Sequence, residues 1–218
     1  MKRRDFSLAA PALALWSSAT VHGVSQAQAF KPVEGSDYLV LDKPMPVDAP
    51  SGKIEVVEFF WYRCPHCNAF EPALEAWSKS LAKDVVLRRI PVAFQDSFVP
   101  LQRLYYALEA MGLTEKLHTK VFNAIHKERI PLEGGDSIIE WVVQQGVDRT
   151  KFVEQFNSFS VSAKVTKATQ LQNGYRVEGV PAMGVAGRFY SDGAIARNME
   201  RVLQVVDALV TNLRVKRV

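Results

Sequence analysis

The chain has 218 residues, of which 48% are hydrophobic and 23% charged, as expected for a folded protein of one or two domains. Glycine and proline number only 12 and 11, which excludes a fibrous or low-complexity chain. The net charge of +4 is not gathered into basic runs with interleaved aromatic residues, so we expect no nucleic-acid binding. Two cysteines are too few for a disulfide-stapled scaffold or a four-thiolate metal site.

The first 29 residues have the layout of a secretory signal peptide. Basic residues 2–4 precede a mostly apolar run at 6–16, and small and polar residues follow as far as Ala29. The apolar run is about half of the roughly 20 residues that span a bilayer, and Pro11 interrupts it. We therefore expect cleavage after Ala29 and export of the mature chain, by the general secretory route or by the twin-arginine route.

Next in the chain, the pattern predicts two strands joined by a helix. A proline-rich leader at 30–53 includes an edge strand at 38–41. Residues 54–62 are apolar on both faces apart from two glutamates, which predicts a central strand covered on both sides. Apolar residues at helical spacing over 70–81 and a second buried strand at 85–94 complete a βαβ unit, so the two strands should be parallel.

The pattern from 96 to 174 is helical throughout. Within it Asp136 is a candidate N-cap for one helix and Ser160 for a longer one. No strand pattern interrupts these residues. We therefore expect an all-helical block here.

The last part of the chain returns to strand character. Strands are predicted at 183–186 and 188–190, with residues 191–193 as the hairpin turn, and an amphipathic helix over 199–213 follows. These strands are too few to form a sheet of their own. The order therefore favours one α/β domain interrupted by a helical insertion over two domains in tandem.

The two cysteines form the motif Cys64-Pro65-His66-Cys67, where the central strand meets the following helix. A thiol just before the first helical turn faces unpaired backbone N–H groups and the positive end of the helix dipole, so Cys64 is the candidate nucleophile. Pro65 suits the first helical position, and His66 can supply a cation or a hydrogen bond to the sulfur. Cys67 lies one turn further on, where it can attack a mixed disulfide at Cys64.

Three other interpretations of the cysteines are less favoured. A purely structural disulfide would close a four-residue loop, which restrains the unfolded chain very little. Zinc needs further ligands, and outside the signal only His66, His118 and His126 are available; we expect the last two to be ordinary, partly exposed histidines. Covalent haem attachment requires a histidine at the position of Asn68.

Two segments carry a resemblance to a known family. Residues 58–67, EFFWYRCPHC, followed by Phe70 and Glu71, resemble the active-site segment of the DsbA family, the bacterial periplasmic thiol:disulfide oxidoreductases of the thioredoxin superfamily. Residues 179–182, Gly-Val-Pro-Ala, are similar to the loop in which that family has a cis-proline beside its cysteines. The resemblance covers essentially the whole mature chain.

The resemblance implies a fold and a set of supporting residues. The fold is a thioredoxin-like domain made of 30–95 and 175–218, interrupted by a helical domain at 96–174. Val180 and Pro181 would form the cis-proline loop. Glu58 would be a buried acid that accepts or relays the proton of Cys67, the alternative being an edge-exposed glutamate.

The resemblance also implies a function. The Cys64–Cys67 disulfide would be donated to newly exported thiol-containing proteins through a mixed disulfide at Cys64, with no bound cofactor. A quinone-linked membrane oxidase of the DsbB type would reoxidise the protein, which we expect to be monomeric. A disulfide reductase or isomerase is the alternative within the same chemistry, and a non-catalytic peptide-binding chaperone with an apolar surface around Trp61 and Pro181 is an alternative outside it.

Other residues near the motif are given ordinary roles. Arg63 and Glu71 are expected to be solvated neighbours of the cysteines, and Trp61 is a candidate for the substrate surface. Four further aromatic residues at helical spacing are assigned to the core: Phe70, Trp77, Trp141 and Phe156.

Overall fold

The computed structural model describes residues 30–215; the predicted signal peptide 1–29 lies outside the described residues. The strands are β1 (Leu39–Val40), β2 (Ile54–Phe60), β3 (Val85–Pro91), β4 (Ala182–Val185) and β5 (Phe189–Asp192). The helices are α1 (Pro65–Lys79), α2 (Val99–Ala110), α3 (Thr114–His126), α4 (Gly135–Gln144), α5 (Arg149–Phe156), α6 (Phe159–Gly174) and α7 (Met199–Val215), with a 3-10 turn at Asp96–Phe98. Over this part of the chain, no helix is long and apolar enough to cross a membrane.

The five strands form one mixed sheet in the order β1-β5-β4-β2-β3. The predicted parallel pair is confirmed, because β2 and β3 run parallel with Glu58 opposite Arg89. On its other side β2 pairs antiparallel with β4, where Glu58 lies opposite Met183. Strand β2 is therefore internal to the sheet, and all seven of its residues are buried, as the sequence predicts.

Strand β3 differs from the prediction of a second buried strand at 85–94. It ends at Pro91 and forms an edge of the sheet, and its four middle residues are only partly buried. Two of these are Arg88 and Arg89, whose long side chains reach carboxylates on β2 and α1. An edge position accommodates such residues, since one side of the strand has no neighbour in the sheet.

The predicted hairpin turn at 191–193 is wrong. Ser191 and Asp192 lie inside β5, and the turn is made by Ala186 and Gly187, with φ of 52° and 66°. The Arg188 N–H donates to the Val185 carbonyl over 3.0 Å, and positive φ at both central residues of this turn is typical of a type I′ turn. Because Val185 pairs with Phe189, the whole connection has three residues. A side chain at Gly187 would also collide with the backbone of Met45, so glycine is required there.

Five helices, α2 to α6, lie between β3 and β4, which confirms a helical block inside the α/β unit. Both predicted N-caps are wrong by two residues. Asp136 lies in the first turn of α4, whose N-cap is Gly134, and Ser160 lies inside α6, whose N-cap is Ser158. The domain limits stay predictions: a thioredoxin-like domain made of 30–95 and 175–218, and a helical domain at 96–174.

The buried apolar side chains form two clusters, and β2 contributes residues to both. The first joins Val57, Phe59 and both cysteines to the helical block. The second joins Ile54 and Val56 to α1 and α7. At the end of β2 nearest Cys64, Phe59 and Phe60 both belong to the first cluster, so this end of the strand packs against the helical insertion.

Candidate active site

Cys64 lies where the sequence predicts it, at the start of α1. Its backbone N–H donates to the carbonyl of Trp61 over 3.0 Å and closes a turn after β2. Cys64 is the N-cap residue of the helix, with an extended backbone (φ −75°, ψ 118°), and Pro65 is the first helical residue. The backbone N–H of Cys67 donates to the Cys64 sulfur over 3.4 Å. A sulfur at this position caps the helix as an oxygen would.

The two thiols are unbridged and buried, and their pKa values are shifted in opposite directions. The pKa of Cys64 is lowered to about 6, first by a hydrogen bond with the Cys67 side chain and then, against the effect of burial, by backbone N–H groups and the charge of His66. Burial raises the pKa of Cys67 well above its ordinary value, and the neighbouring Cys64 raises it further. The site therefore holds one thiolate and one thiol at neutral pH.

The cis-proline loop lies directly against Cys64. The Val180–Pro181 peptide bond is cis, and the Cys64 thiol donates to the Val180 carbonyl oxygen over 3.3 Å. Pro181 is buried, whereas Val180 is partly exposed. The structure thus brings together Cys64, Cys67, Val180 and Pro181, while the side chain of His66 is exposed beside them.

Glu58 is buried, with 1% of its surface exposed, so the alternative of an edge-exposed glutamate is wrong. Its Oε2 lies 3.2 Å from Nε of Arg89, although this contact lacks the geometry of a hydrogen bond. Burial raises the pKa of Glu58 to about 8, and Arg89 opposes this shift only in part. Glu58 is therefore mostly protonated at neutral pH.

Glu71 is also buried, which contradicts its expected solvation. Its Oε1 lies 2.9 Å from Nη2 of Arg89 and 3.4 Å from Nε2 of His118. Burial raises the pKa of Glu71, but the contacts with His118 and Arg89 outweigh it and leave the pKa below its usual value. A sequence signal existed, because Glu71 lies four residues after Cys67 and three before Leu74 and so shares their buried helix face.

His118 is not a partly exposed residue as predicted, since only 6% of its surface is accessible. Its Nδ1 lies 2.8 Å from the hydroxyl of Tyr62. Burial lowers the pKa of His118, so its ring is neutral. His126 is partly buried as predicted, and its Nε2 lies 2.8 Å from the carbonyl oxygen of Tyr62.

The remaining neighbours of the motif face solvent at least in part. Arg63 is exposed as expected and pairs with Glu133 over 2.7 Å. Trp61 stacks on Phe98 with ring centroids 3.7 Å apart, and Phe94 packs edge-on against Phe98. These three rings form an aromatic surface beside the cysteine turn. Among residues 30–215, no group of three or more metal-ligating side chains is gathered in one place.

Phe70, Trp141 and Phe156 are buried in the core, as predicted. Trp77 is only partly buried, and its indole N–H donates to Asp207 on α7 over 2.9 Å.

Comparison with known proteins agrees with this geometry. The family of DSBA-like thioredoxin domains matches residues 55–204. A thiol:disulfide interchange protein DsbA of Burkholderia cepacia is 41% identical over 195 residues, which are 89% of this chain and 92% of that protein. The protein of the same name from Bordetella parapertussis is 42% identical over 215 residues, covering 98% of this chain and all of the relative.

Solved structures show the same fold. The DsbA of Pseudomonas aeruginosa matches with a TM-score of 0.79 and 39% identity, over 84% of this chain and 95% of that one. The oxidoreductase NmDsbA1 of Neisseria meningitidis matches with a TM-score of 0.74 and 30% identity, over 85% and 95% of the two chains. The predicted thioredoxin-like fold with a helical insertion is confirmed, and the chain belongs to the family of DSBA-like thioredoxin domains.

Proposed function

We propose that this protein is a periplasmic thiol:disulfide oxidoreductase that donates a Cys64–Cys67 disulfide to newly exported proteins. The observation that carries the proposal is the opposite pKa shift of the two thiols at the start of α1. The Cys64 thiolate is stabilised where the Cys67 thiolate is not, so Cys64 is the better leaving group when a mixed disulfide is resolved. Substrates attack Cys64 because its sulfur is the more accessible of the two, with 7% of the residue exposed against 0% for Cys67.

The proposed reaction proceeds in two exchanges. A substrate thiolate attacks the sulfur of Cys64 in the oxidised protein, the Cys64–Cys67 bond breaks, and Cys67 leaves and takes up a proton. A second substrate thiolate then attacks the substrate sulfur of the mixed disulfide and releases Cys64 as a thiolate. The substrate loses two electrons to form its disulfide, and the Cys64–Cys67 pair gains them.

In this proposal Glu58 supplies the proton that Cys67 takes up when it leaves. Glu58 is mostly protonated at neutral pH, and when it is ionised its negative charge raises the pKa of Cys67. Without a proton donor, negative charge would develop on Cys67 in a buried position. Glu58 gives a proton as Cys67 leaves and accepts it again when the pair is reoxidised.

The other motif residues act on Cys64. Pro65 begins α1 without an N–H that would lack a partner, and the backbone and side chain of His66 favour the thiolate. The carbonyl of Val180 holds the neutral thiol, and Pro181 keeps that carbonyl facing the sulfur. Trp61 and the aromatic surface beside it supply an apolar contact for unfolded substrates.

The remaining parts of the proposal concern the cell. Export by the signal at 1–29 delivers a monomeric chain to the periplasm, by either export route. No cofactor is required, because the electrons are carried by the two cysteines. The reduced protein is reoxidised by a quinone-linked membrane oxidase of the DsbB type.

The redox equilibrium with glutathione tests the proposal and separates it from a reductase. Because the reduced form is stabilised by its thiolate, we expect a potential more oxidising than about −180 mV, the value for protein disulfide isomerase. A potential below about −270 mV, that of thioredoxin, would instead identify a reductase.

A trapping experiment tests the assigned roles. Cys67→Ser is expected to accumulate mixed disulfides with exported proteins, which non-reducing gels detect, because no internal thiol can release them. Cys64→Ser is the matched control and should form none. A variant with both cysteines replaced by serine tests the chaperone alternative. If that variant still suppressed the aggregation of unfolded proteins and the wild type showed no redox activity, the protein would be a chaperone.

A further inference from the structure

Helix α3 of the insertion contacts Tyr62 at two points. The Nδ1 atom of His118 lies 2.8 Å from the Tyr62 hydroxyl, and the Nε2 atom of His126 lies 2.8 Å from the Tyr62 carbonyl oxygen. The two histidines are eight residues apart, slightly more than two helical turns. One helix thus holds both the side chain and the backbone of a single residue that lies two positions before Cys64.

The direction of each bond follows from its surroundings. A carbonyl oxygen only accepts, so the His126 ring N–H donates to it. At His118 the neutral ring has one proton, and the negative charge of the Glu71 carboxylate, 3.4 Å from Nε2, favours that proton on Nε2 although the contact lacks the geometry of a hydrogen bond. The Nδ1 atom therefore accepts from the Tyr62 hydroxyl, and each histidine is needed in a specific role.

The rings of both histidines are held by an aromatic cluster. His118 packs edge-on against Phe60 and Phe122, with centroids 5.2 and 5.3 Å apart. His126 stacks on the same Phe122 at 6.1 Å. Packing against these rings restricts the orientation of both imidazoles, so the two hydrogen bonds are directional supports for Tyr62.

Tyr62 in turn determines where Cys64 lies. It is the second residue of the turn that the Cys64 N–H closes on the Trp61 carbonyl, and only 1% of its surface is exposed. The carbonyl that His126 holds belongs to the peptide plane inside this turn. A rotation of that plane would move the Cys64 sulfur relative to the Cys67 N–H, its donor at 3.4 Å.

We propose that His118 and His126 are positioning residues for the thiol–disulfide reaction: through Tyr62 they hold the turn that places Cys64 at the start of α1. The helical insertion thereby supports the reactive sulfur in addition to covering the sheet. This inference rests on the proposed function, since it concerns how the reactive cysteine is presented.

The test compares His126→Gln with His126→Leu. A glutamine amide can place an N–H close to the histidine Nε2, whereas leucine fills similar space without a donor. We expect His126→Leu to raise the Cys64 pKa and to shift the glutathione equilibrium three- to tenfold towards the oxidised protein, and His126→Gln to stay within twofold of wild type. Ultraviolet absorbance of the thiolate reports the pKa.

His118 is tested by a double-mutant cycle with its partner. Tyr62→Phe and His118→Leu should each shift the glutathione equilibrium. The variant with both changes should shift it no more than the larger single change, because the same hydrogen bond between Tyr62 and His118 is lost in all three variants. Tyr190→Phe is the matched control. It removes a partly buried hydroxyl that donates to Asp192 on the same strand, β5. Strand β4 separates β5 from β2, so the change should lower stability without moving the equilibrium.

The outcomes separate this inference from the proposed function. A wild-type potential outside the oxidising range overturns the function. An oxidising wild type with equal potentials and thiolate titrations in His126→Leu and His126→Gln overturns the positioning role. Should His126→Leu fail to fold, His126→Asn replaces it, because its shorter amide does not reach the Tyr62 carbonyl; wild-type behaviour in that variant would then overturn the inference.

Discussion

The thiol of Cys64 donates a 3.3 Å hydrogen bond to the carbonyl oxygen of Val180, 116 positions away in the chain. This bond exists only while Cys64 is protonated, because a thiolate has no proton to donate. Ionisation of Cys64 therefore gives up one interaction and must be favoured by others. The donors that remain are the Cys67 thiol and the N–H groups at the start of α1.

The first prediction concerns the thiol donor. The hydrogen bond from the Cys67 side chain is the largest contribution that lowers the Cys64 pKa, so Cys67→Ala should raise that pKa from about 6 towards the ordinary value. Cys67→Ser keeps a hydroxyl donor and should raise it less. Thiolate absorbance followed against pH measures both, and an unchanged titration in Cys67→Ala would show that the helix N-terminus alone stabilises the thiolate.

The second prediction concerns the stability of the two redox forms. The folded pKa of Cys64, about 6, lies below the ordinary value of 9.0, so its contribution to the reduced form is complete above pH 9 and is lost as the pH falls through 6. At pH 7 this is on the order of 1 kcal/mol, or about 2–4 °C in Tm. The disulfide form has no thiolate to stabilise.

We therefore expect the reduced protein to melt above the oxidised protein, and the gap to widen between pH 6 and pH 8. Calorimetry on both forms measures it. A Cys64→Ala variant kept reduced is the control, because it lacks the ionising thiol and should lose the part of the pH dependence that Cys64 contributes, while the part from Glu58 remains. An oxidised form that melts several degrees higher would contradict the assignment of a strong oxidant.

The third prediction concerns Glu58. Its folded pKa, about 8, lies above the ordinary 4.5, so the stability that it contributes is present below pH 4.5 and is lost as the pH rises through 8, by at most about 1.4 kcal/mol per pH unit. Glu58→Gln removes this loss and should be more stable than wild type at pH 7. Arg89 keeps Glu71 and Glu75 as partners in the variant.

Glu55 is the matched control on the same strand. Both of its carboxylate oxygens accept from Arg88, over 3.0 and 3.1 Å, so Glu55→Gln breaks a buried ion pair and should be destabilising. Urea unfolding between pH 4.5 and 8 compares the two variants. Equal losses of stability in both would show that Glu58 is ionised in the folded protein.

The sequence was sufficient for the features that depend on local order. The strand before Cys64, the N-cap position of Cys64 and the parallel pairing of β2 with β3 are all confirmed, because hydrophobic periodicity and a proline at the first helical position determine them. The burial of Glu58 was implied only by the family resemblance, since alternation along the strand does not by itself distinguish a buried acid from an exposed one.

The features that were missed depend on contacts between distant segments. His118 lies three residues before Val121 and four before Phe122, so helical spacing places it on the buried face of α3. Its polar partner could not be predicted in this way, because Tyr62 lies 56 positions earlier in the chain. The hairpin turn was misplaced because Ala186 adopts a positive φ that alanine rarely takes. There the pairing of β4 with β5 overrides local preference.

The last prediction concerns Ser158, the residue that caps α6. Its Oγ accepts from the Val161 N–H over 3.1 Å, whereas Ser160, the predicted cap, is exposed inside the helix. Loss of an N-cap side chain typically costs about 1 kcal/mol, so Ser158→Ala should lower the Tm by about 2–4 °C. Ser160→Ala should leave the Tm unchanged or slightly higher, because alanine favours the helix interior. Calorimetry on both variants decides the point, and a larger loss in Ser160→Ala would mean that α6 begins two residues later in solution.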